Sequence, residues 1–372
     1  MLSDDLTPFL APANLEDPAR ASDHFDRCTG VAQPALEELQ REILADLSVD
    51  SHGISWWQPF LEKRERILIA DHLLECPRAV IHNLVEANLH FLEAKSAWAD
   101  HARRMSRVFD AGGNVALPPY TRGADDLPER LASLHIAGAF RAVGSVLDCL
   151  AALAIGVLPV PVSIIKADFR SLRSWLRGER AKGVARSARQ TEFRDALEAS
   201  ITASGPPGWL EWADDYRNTL VHRPRRIELY VLRPESFIVD SQSRPLPHAE
   251  VVRVLTAEPD LSDVEALQKD TFSLNEDARH TISGLLRSVH MLSSDVGTHL
   301  LATWRSRREF PDRQPTEHWL AREATIDNFS GYRPGSVPTN PRGVLTSRQW
   351  VKRLAAAALT DDKTNVWKPR SK

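Results

Sequence analysis

Apolar residues recur at helical spacing through most of this 372-residue chain. We predict helices from that spacing and from the Pro and Gly residues that interrupt it. They span residues 34–47, 63–74, 78–109, 128–157, 163–178, 191–203, 209–222 and 274–304. Pro77 is expected to break the chain between the second and third of these helices. The fourth becomes apolar on nearly every face after Phe140, which predicts a central, buried helix.

The spacing of apolar residues changes from helical to strand-like beyond Pro224, where the segments IELYVL, SFIVD and VVRVL follow one another. They predict a small β-hairpin or short sheet, inserted at about residues 226–256 of a helical domain that covers residues 78–310. Residues 1–77 are predicted to form an arm with short helices. Residues 311–372 are rich in Pro, Gly, Arg and Thr and predict a mobile tail with one short helix at 347–359. The fold class is therefore mainly α with a small β addition.

Composition indicates a globular protein of the cytoplasm. The chain is 42% apolar with a net charge of −3, so bulk charge does not favour a polyanion and any nucleic-acid surface must be local. Three widely spaced cysteines argue for a reducing compartment. The longest apolar run, residues 149–160, is shorter than the about 20 residues that span a bilayer, so no membrane association is expected.

Common cofactor and metal motifs are missing. The chain contains no G-x-x-x-x-G-K-[ST], G-x-G-x-x-G, H-E-x-x-H or G-x-S-x-G sequence. No two of its 13 histidines are three or four residues apart, which disfavours a metal pair on one helix. We therefore expect neither a cofactor nor a metal.

The stretch WADDYRNTLVHRPRR, residues 212–226, concentrates the candidate chemistry. Arg217 offers a planar cation that can hold two phosphate oxygens, and Asn218 can orient a phosphate or a ribose hydroxyl. His222 can transfer a proton near neutral pH. Pro224 is expected to end the helix, which leaves His222 in its last turn. A phosphate-binding arginine and a proton-transferring histidine suffice for RNA cleavage without a metal, because the ribose 2′-OH supplies the nucleophile.

The spacing raises a geometric difficulty. Residues five apart lie about 140° apart around an ideal helix, so Arg217 and His222 do not share a face within one copy. Two copies related by a two-fold axis, or unwinding at the helix end, would bring the two side chains together. The R-x₄-H spacing alone also carries little weight, because chance predicts about one occurrence and the chain has three. Only Arg217 is followed by an asparagine on a late helix.

The sequence RNTLVH resembles the R-N-x-x-x-H signature of HEPN (higher eukaryotes and prokaryotes nucleotide-binding) domains. The resemblance covers this motif and the helical context of residues 78–310. It implies an all-α bundle that dimerises so that two motifs face one cleft. It also implies a metal-independent ribonuclease of a toxin–antitoxin, abortive-infection or other defence system, with RNA as substrate and an antitoxin or regulatory protein as a further partner. Arg217 and His222 would then be the catalytic pair, with Asn218 positioning the substrate.

Two groups of arginines are candidates for RNA binding. Arg223, Arg225 and Arg226 directly follow the motif, where they would hold the RNA strand. Another group recurs at i, i+3 and i+7 on one helical face: Arg170, Arg173 and Arg177. This stripe is either a phosphate-binding surface or an ordinary solvated helix face.

Three other interpretations remain open. In the first, Arg217 forms an ion pair with Asp214 or Asp215 while His222 caps the helix. In the second, a HEPN-like module binds a nucleotide or a protein without catalysis. In the third, the chain is a helical scaffold unrelated to HEPN domains, in which the arginine stripe contacts a partner.

Overall fold

The computed structural model describes residues 33–46, 63–105, 126–162, 167–179, 186–222, 229–239, 245–259, 265, 268–269, 273–309 and 331–333. Within these ranges the protein is mainly helical, with a small antiparallel sheet. The helices are α1 (Gln33–Asp46), α2 (Lys63–Met105), α3 (Asp126–Val157), α4 (Phe169–Arg177), α5 (Ala188–Ser204), α6 (Trp209–His222) and α7 (Ala278–Glu309). The strands are β1 (Leu229–Val239), β2 (Pro245–Thr256) and β3 (Ser273–Asp277).

The predicted mainly α fold class is confirmed, but the predicted break at Pro77 is wrong. One helix, α2, runs continuously through this proline. Proline inside a helix loses a hydrogen bond and costs about 3 kcal/mol. Leu73, Leu74 and Val80 are buried on either side of it, and each buried aliphatic side chain contributes about 1.5–3 kcal/mol. Packing of the flanking turns therefore outweighs the local penalty.

Two predicted helix starts are also wrong. Helix α4 begins at Phe169, not at residue 163, because the Asp168 carboxylate caps it by accepting hydrogen bonds from the Ser171 amide (2.6 Å) and hydroxyl (2.7 Å). Helix α7 begins at Ala278, not at Leu274, because the residues before it pair with β2 as a third strand.

The predicted β addition is confirmed and is larger than expected. The strands follow the order β1-β2-β3, and both pairs are antiparallel. Leu229 lies opposite Val254 at one end of the hairpin and Val239 opposite Pro245 at the other. The sheet thus extends beyond residue 256 to Asp277, and its third strand leads directly into α7.

The chain divides into two compact units whose segments alternate along the sequence. Unit 1 comprises Met1–Ala32, Ile81–Val146 and Leu197–Asp295, and unit 2 comprises Gln33–Val80, Leu147–Ala196 and Val296–Lys372. Helices α2, α3, α5 and α7 contribute residues to both units. The predicted domains, with limits at residues 77 and 310, are continuous stretches of the chain and not alternating segments. Those limits stay a prediction.

Unit 2 buries a charged residue at the end of α3. Arg307 of α7 is only 2% exposed, and its Nη1 atom donates hydrogen bonds to the carbonyl oxygens of Gly156 (3.3 Å) and Val157 (3.2 Å). The Gln190 amide donates to the carbonyl of Leu158 at 3.0 Å. The final carbonyls of a helix have no partner within it, so these two side chains satisfy them without solvent.

Unit 1 buries a neutral histidine between α2 and α7. The Asn88 amide nitrogen donates to the carbonyl oxygen of Leu84 (3.0 Å) and to Nε2 of His290 (2.8 Å). Because Nε2 accepts, Nδ1 of His290 must carry the ring proton, and that buried atom has no hydrogen-bond partner within the described residues. Burial lowers the pKa of His290 from 6.5 to about 4.

Helix α3 is the central helix that the sequence predicts. By length and composition its residues Leu127–Val157 would suffice to cross a membrane, and they are the only such segment in the described part of the chain. However, 72% of the most apolar window is buried inside the protein. Burial of this kind is typical of the core helix of a soluble protein.

Several predictions concern residues outside the described ranges. They are the N-terminal arm at residues 1–30, the side chain of His222, the arginines at positions 223, 225 and 226, and the C-terminal tail with its helix at 347–359.

The neutral state of His290 predicts a specific acid sensitivity. Its pKa is lower in the folded protein than in the unfolded chain, so protons bind preferentially to the unfolded state. The stability from this histidine is complete above about pH 6.5 and is lost as the pH falls towards about 4. The loss amounts to roughly 3 kcal/mol. Urea unfolding at about pH 7 and about pH 4.5 should show a smaller pH effect for His290→Gln than for the wild type. The control variant is His280→Gln, at an exposed histidine of the same helix. Equal pH effects in His290→Gln and the wild type would contradict the conclusion that His290 is neutral in the folded protein.

Candidate functional site

The predicted motif lies on α6 in unit 1, and aromatic side chains fix this helix to α3. Tyr216 stacks on Phe140, with ring centroids 4.6 Å apart, and Trp212 contacts both rings at 5.2 and 5.7 Å. Phe140 is only 1% exposed. Each such aromatic pair contributes about 0.5–1.5 kcal/mol beyond its buried area. The turn that carries Arg217 is therefore held firmly on the apolar helix.

Two hydrogen bonds tie α6 to the sheet region. The indole nitrogen of Trp212 donates to the carbonyl oxygen of Thr256 at 3.1 Å. The hydroxyl of Thr219 donates to the carbonyl oxygen of Pro259 at 2.9 Å. Thr219 is buried. The two donors are seven residues apart, so they fix one face of α6 over two turns. The segment that follows β2 thus braces the motif helix along most of its length.

Arg217 lies against a glycine of α3. A Cβ atom at position 144 would overlap the Cδ and Nη1 atoms of the Arg217 side chain. Gly144 is buried, whereas the Arg217 side chain is 28% exposed. The absence of a side chain at position 144 is what lets the arginine lie flat on an apolar helix and still reach solvent.

The guanidinium of Arg217 has two polar neighbours on its own helix. Its Nη2 atom lies 3.6 Å from the Asp214 carboxylate and donates to Oδ1 of Asn218 at 3.3 Å. The Asp214 side chain is 29% exposed. The ion pair that the sequence offered as an alternative is thus present. Partly exposed ion pairs at i, i+3 contribute only about 0.5 kcal/mol, so a phosphate can compete with this one.

His222 is the last residue of α6. Because α6 is helical from Trp209 onwards, position 222 is about 140° around the axis from Arg217. It lies one turn after Asn218, on the side of the helix that also carries Thr219. The structure therefore brings Arg217 and Asn218 together and keeps the position of His222 on another face of the same helix.

The predicted arginine stripe lies on α4, in unit 2, whereas the motif lies in unit 1. Arg170 and Arg177 are exposed and Arg173 is half-buried. The N-cap Asp168 and the left-handed Gly178 fix the ends of this short helix. Within the described residues the stripe is an arginine-rich, largely solvent-facing helix surface.

Sequence reasoning missed Gly144, which positions Arg217. The signal was present, because a glycine interrupts an otherwise apolar helix and an isolated glycine costs about 1 kcal/mol relative to alanine. What the sequence does not contain is the identity of the side chain that the glycine admits. That depends on how α6 crosses α3.

Comparisons of the chain with protein family models, with curated proteins and with solved structures gave no match. The resemblance to HEPN domains therefore depends on the R-N-x-x-x-H motif and on its position at the end of a helix.

The contact between Gly144 and Arg217 can be tested by Gly144→Ala. We expect the added methyl group to displace the guanidinium, because the far end of an arginine moves more easily than a helix backbone. The higher helix propensity of alanine offsets the rearrangement, so stability should change by less than about 1 kcal/mol. A crystal structure of the variant should show Arg217 away from Asp214.

The matched control is Gly284→Ala. Position 284 lies on α7, and a Cβ atom there would have no heavy atom within 4 Å. This variant should gain up to about 1 kcal/mol and leave Arg217 in place. An unmoved Arg217 in Gly144→Ala would show that the described contact does not position it.

Proposed function

We propose that this protein is a metal-independent endoribonuclease of the HEPN type that acts in the cytoplasm as a homodimer. The observation that carries the proposal is the R-N-x-x-x-H motif, whose arginine is fixed on α3 with part of its guanidinium in solvent. A partly desolvated arginine holds a phosphate more strongly than one in free solution, because the local dielectric is lower.

The reaction proceeds by attack of the ribose 2′-oxygen on the adjacent phosphorus. His222 acts as general base for the 2′-OH proton or as general acid for the departing 5′-oxygen. The bond from phosphorus to the 2′-oxygen forms as the bond to the 5′-oxygen breaks, which leaves a 2′,3′-cyclic phosphate and a 5′-hydroxyl. Arg217 stabilises the charge that builds up on the phosphate, and Asn218 positions the substrate.

The geometry of α6 supports the proposed homodimer. Positions 217 and 222 are about 140° apart around this helix, so a second copy of the chain, or unwinding at the helix end, would bring the two side chains to one phosphate. A two-fold axis near the motif would set Arg217 of each copy opposite His222 of the other. In this arrangement one histidine serves as base and the other as acid.

The remaining functional assignments follow the same proposal. The arginines at positions 223, 225 and 226 hold the RNA strand next to the cleavage point, and the stripe Arg170, Arg173 and Arg177 contributes further positive charge for RNA. The setting is a toxin–antitoxin, abortive-infection or other defence system, in which an antitoxin or regulatory partner restrains the activity.

The ion pair between Arg217 and Asp214 favours a second candidate function. In that alternative the motif helps to hold a non-catalytic HEPN-like dimer module that binds a nucleotide or a protein. The arginine would then have a structural partner at 3.6 Å and no reacting phosphate. The two candidates differ in what neutralising Asp214 should do.

The nuclease proposal is tested with purified wild type, Arg217→Ala and His222→Ala on total RNA and tRNA. Removing His222 should slow cleavage by about 10²–10⁴-fold. Removing Arg217 should slow it by about 10²–10³-fold. Products should end in 2′,3′-cyclic phosphate, and EDTA should have no effect on the rate. The matched control is Arg130→Ala, an exposed arginine with the same R-x₄-H spacing, which should cleave like the wild type. Equal cleavage by wild type and His222→Ala would exclude the proposal.

Replacing Asp214 separates catalysis from structure. If Arg217 acts on phosphate, Asp214→Asn removes a competing anion, so KM for RNA should fall and kcat should be retained. If Arg217 only completes the ion pair, Asp214→Asn and Arg217→Ala should have the same effect on dimer formation and RNA binding. The free energy of unfolding of Asp214→Asn, measured by thermal denaturation, should differ from that of the wild type by less than about 1 kcal/mol, because the ion pair is partly exposed. Light scattering and RNA titrations on both variants distinguish the outcomes.

A further inference from the structure

Two histidines from different helices of unit 1 face each other. Nδ1 of His90 on α2 lies 3.0 Å from Nδ1 of His135 on α3, with ring centroids 5.3 Å apart. Gly138, one turn after His135, makes the approach possible. A Cβ atom there would lie 2.6 Å from three atoms of the His90 ring. The backbone of α3 is thus shaped to receive this imidazole.

Carboxylates around the pair influence which ring nitrogens carry protons. Oε1 of Glu86 lies 3.8 Å from Nε2 of His90, on the opposite side of the ring from His135. A carboxylate there favours the tautomer with the proton on Nε2, which leaves the Nδ1 lone pair directed at His135. Burial and the neighbouring His90 lower the pKa of His135, against the opposite effect of Glu93.

Two Nδ1 atoms that lie 3.0 Å apart share either a proton or a metal ion. With the His90 proton on Nε2, either His135 donates its own Nδ1 proton or a metal ion accepts both lone pairs. Two nitrogens bound to a tetrahedral zinc ion at about 2.0–2.1 Å are about 3.3 Å apart. The observed 3.0 Å is close to that separation. Glu86 lies on the side of the ring from which carboxylates orient metal-binding histidines, at 3.8 Å from the far nitrogen.

We propose that His90 and His135 together bind a divalent transition-metal ion, Zn²⁺ or Ni²⁺, through their Nδ1 atoms. Imidazole nitrogen suits both ions. No group of three or more potential metal-ligating side chains occurs in the part of the chain that the structure describes. Among the described residues, these two nitrogens are thus the ligands of the proposed site, which should exchange its metal more readily than a four-ligand structural centre. The bound ion cross-links α2 to α3 within the unit that carries Arg217.

This role is separate from phosphodiester cleavage, since the proposed nuclease chemistry requires no metal. The ion is expected to stabilise unit 1 against unfolding, because it binds the folded arrangement and the unfolded chain does not hold the two rings together. Metal binding should weaken as the pH falls, because protons compete for the same lone pairs.

The experiment measures binding of ZnCl₂ and, separately, NiCl₂ to metal-stripped, reduced full-length protein by equilibrium dialysis and by the shift in Tm, with no RNA present. The wild type should bind one equivalent that His90→Ala and His135→Ala lose. Glu86→Gln keeps both ligands and should weaken the same binding by about 10–100-fold. The controls are His82→Ala, an exposed histidine two turns earlier on α2, and His280→Ala, exposed on α7. Both should bind like the wild type.

Any metal that binds to cysteines or other histidines binds to the wild type and to the variants alike. The proposal is therefore tested by the difference in bound metal between the wild type and each variant. Circular dichroism establishes that each variant is folded, and Glu86→Gln still tests the proposal if a histidine variant fails to fold. Undiminished metal binding by His90→Ala and His135→Ala would overturn the proposal. If the histidine variants do not fold, undiminished binding by Glu86→Gln would overturn it. So would the absence of a stoichiometric equivalent in the wild type. Neither result would bear on RNA cleavage, which is measured separately in EDTA.

Discussion

The burial of α3 is the constraint on which the other elements depend. Its second half is apolar on nearly every face, so leaving it in water would cost about 25 cal/mol for each Å² of apolar surface. Within unit 1 it receives α6 through Phe140. Within unit 2 its final carbonyls are satisfied by Arg307 and Gln190, whose side chains replace the solvent that burial removes. The central helix thus sets where each neighbouring helix can lie.

Glycines convert this apolar helix into a surface that accepts polar side chains. Gly138 admits the His90 ring and Gly144 admits the Arg217 guanidinium, and any larger residue at either position would overlap them. A polar group held against a helix in this way loses part of its hydration and becomes sensitive to nearby charge. The candidate phosphate site and the proposed metal site therefore share one feature, a missing side chain on a buried helix.

Periodicity predicted most helices, and its failures have local causes. Pro77 lies within a helix because its neighbours are buried, and Asp168 starts α4 later than the apolar spacing indicates. The sequence offered an ion pair of Arg217 with Asp214 or Asp215, because those residues are neighbours on one helix, and the pair with Asp214 is present. The His90–His135 contact joins residues 45 apart in sequence. Spacing within a single helix cannot reveal a contact that depends on how two helices cross.

The ion pair of Arg217 with Asp214 is compatible with a role in catalysis. Both side chains are more than a quarter exposed, so water screens their attraction and the pair is weak. A phosphate diester offers two anionic oxygens to the planar guanidinium, and the Asp214 oxygen lies 3.6 Å from Nη2 of Arg217, beyond ordinary hydrogen-bond distance. A bidentate contact with phosphate is stronger than this ion pair. The arginine is also positioned by its contact with Gly144 of α3 and by the aromatic contacts of Trp212 and Tyr216 with Phe140. In the proposed nuclease, the carboxylate would keep the arginine ordered before substrate binds, and an RNA phosphate would displace it at little cost.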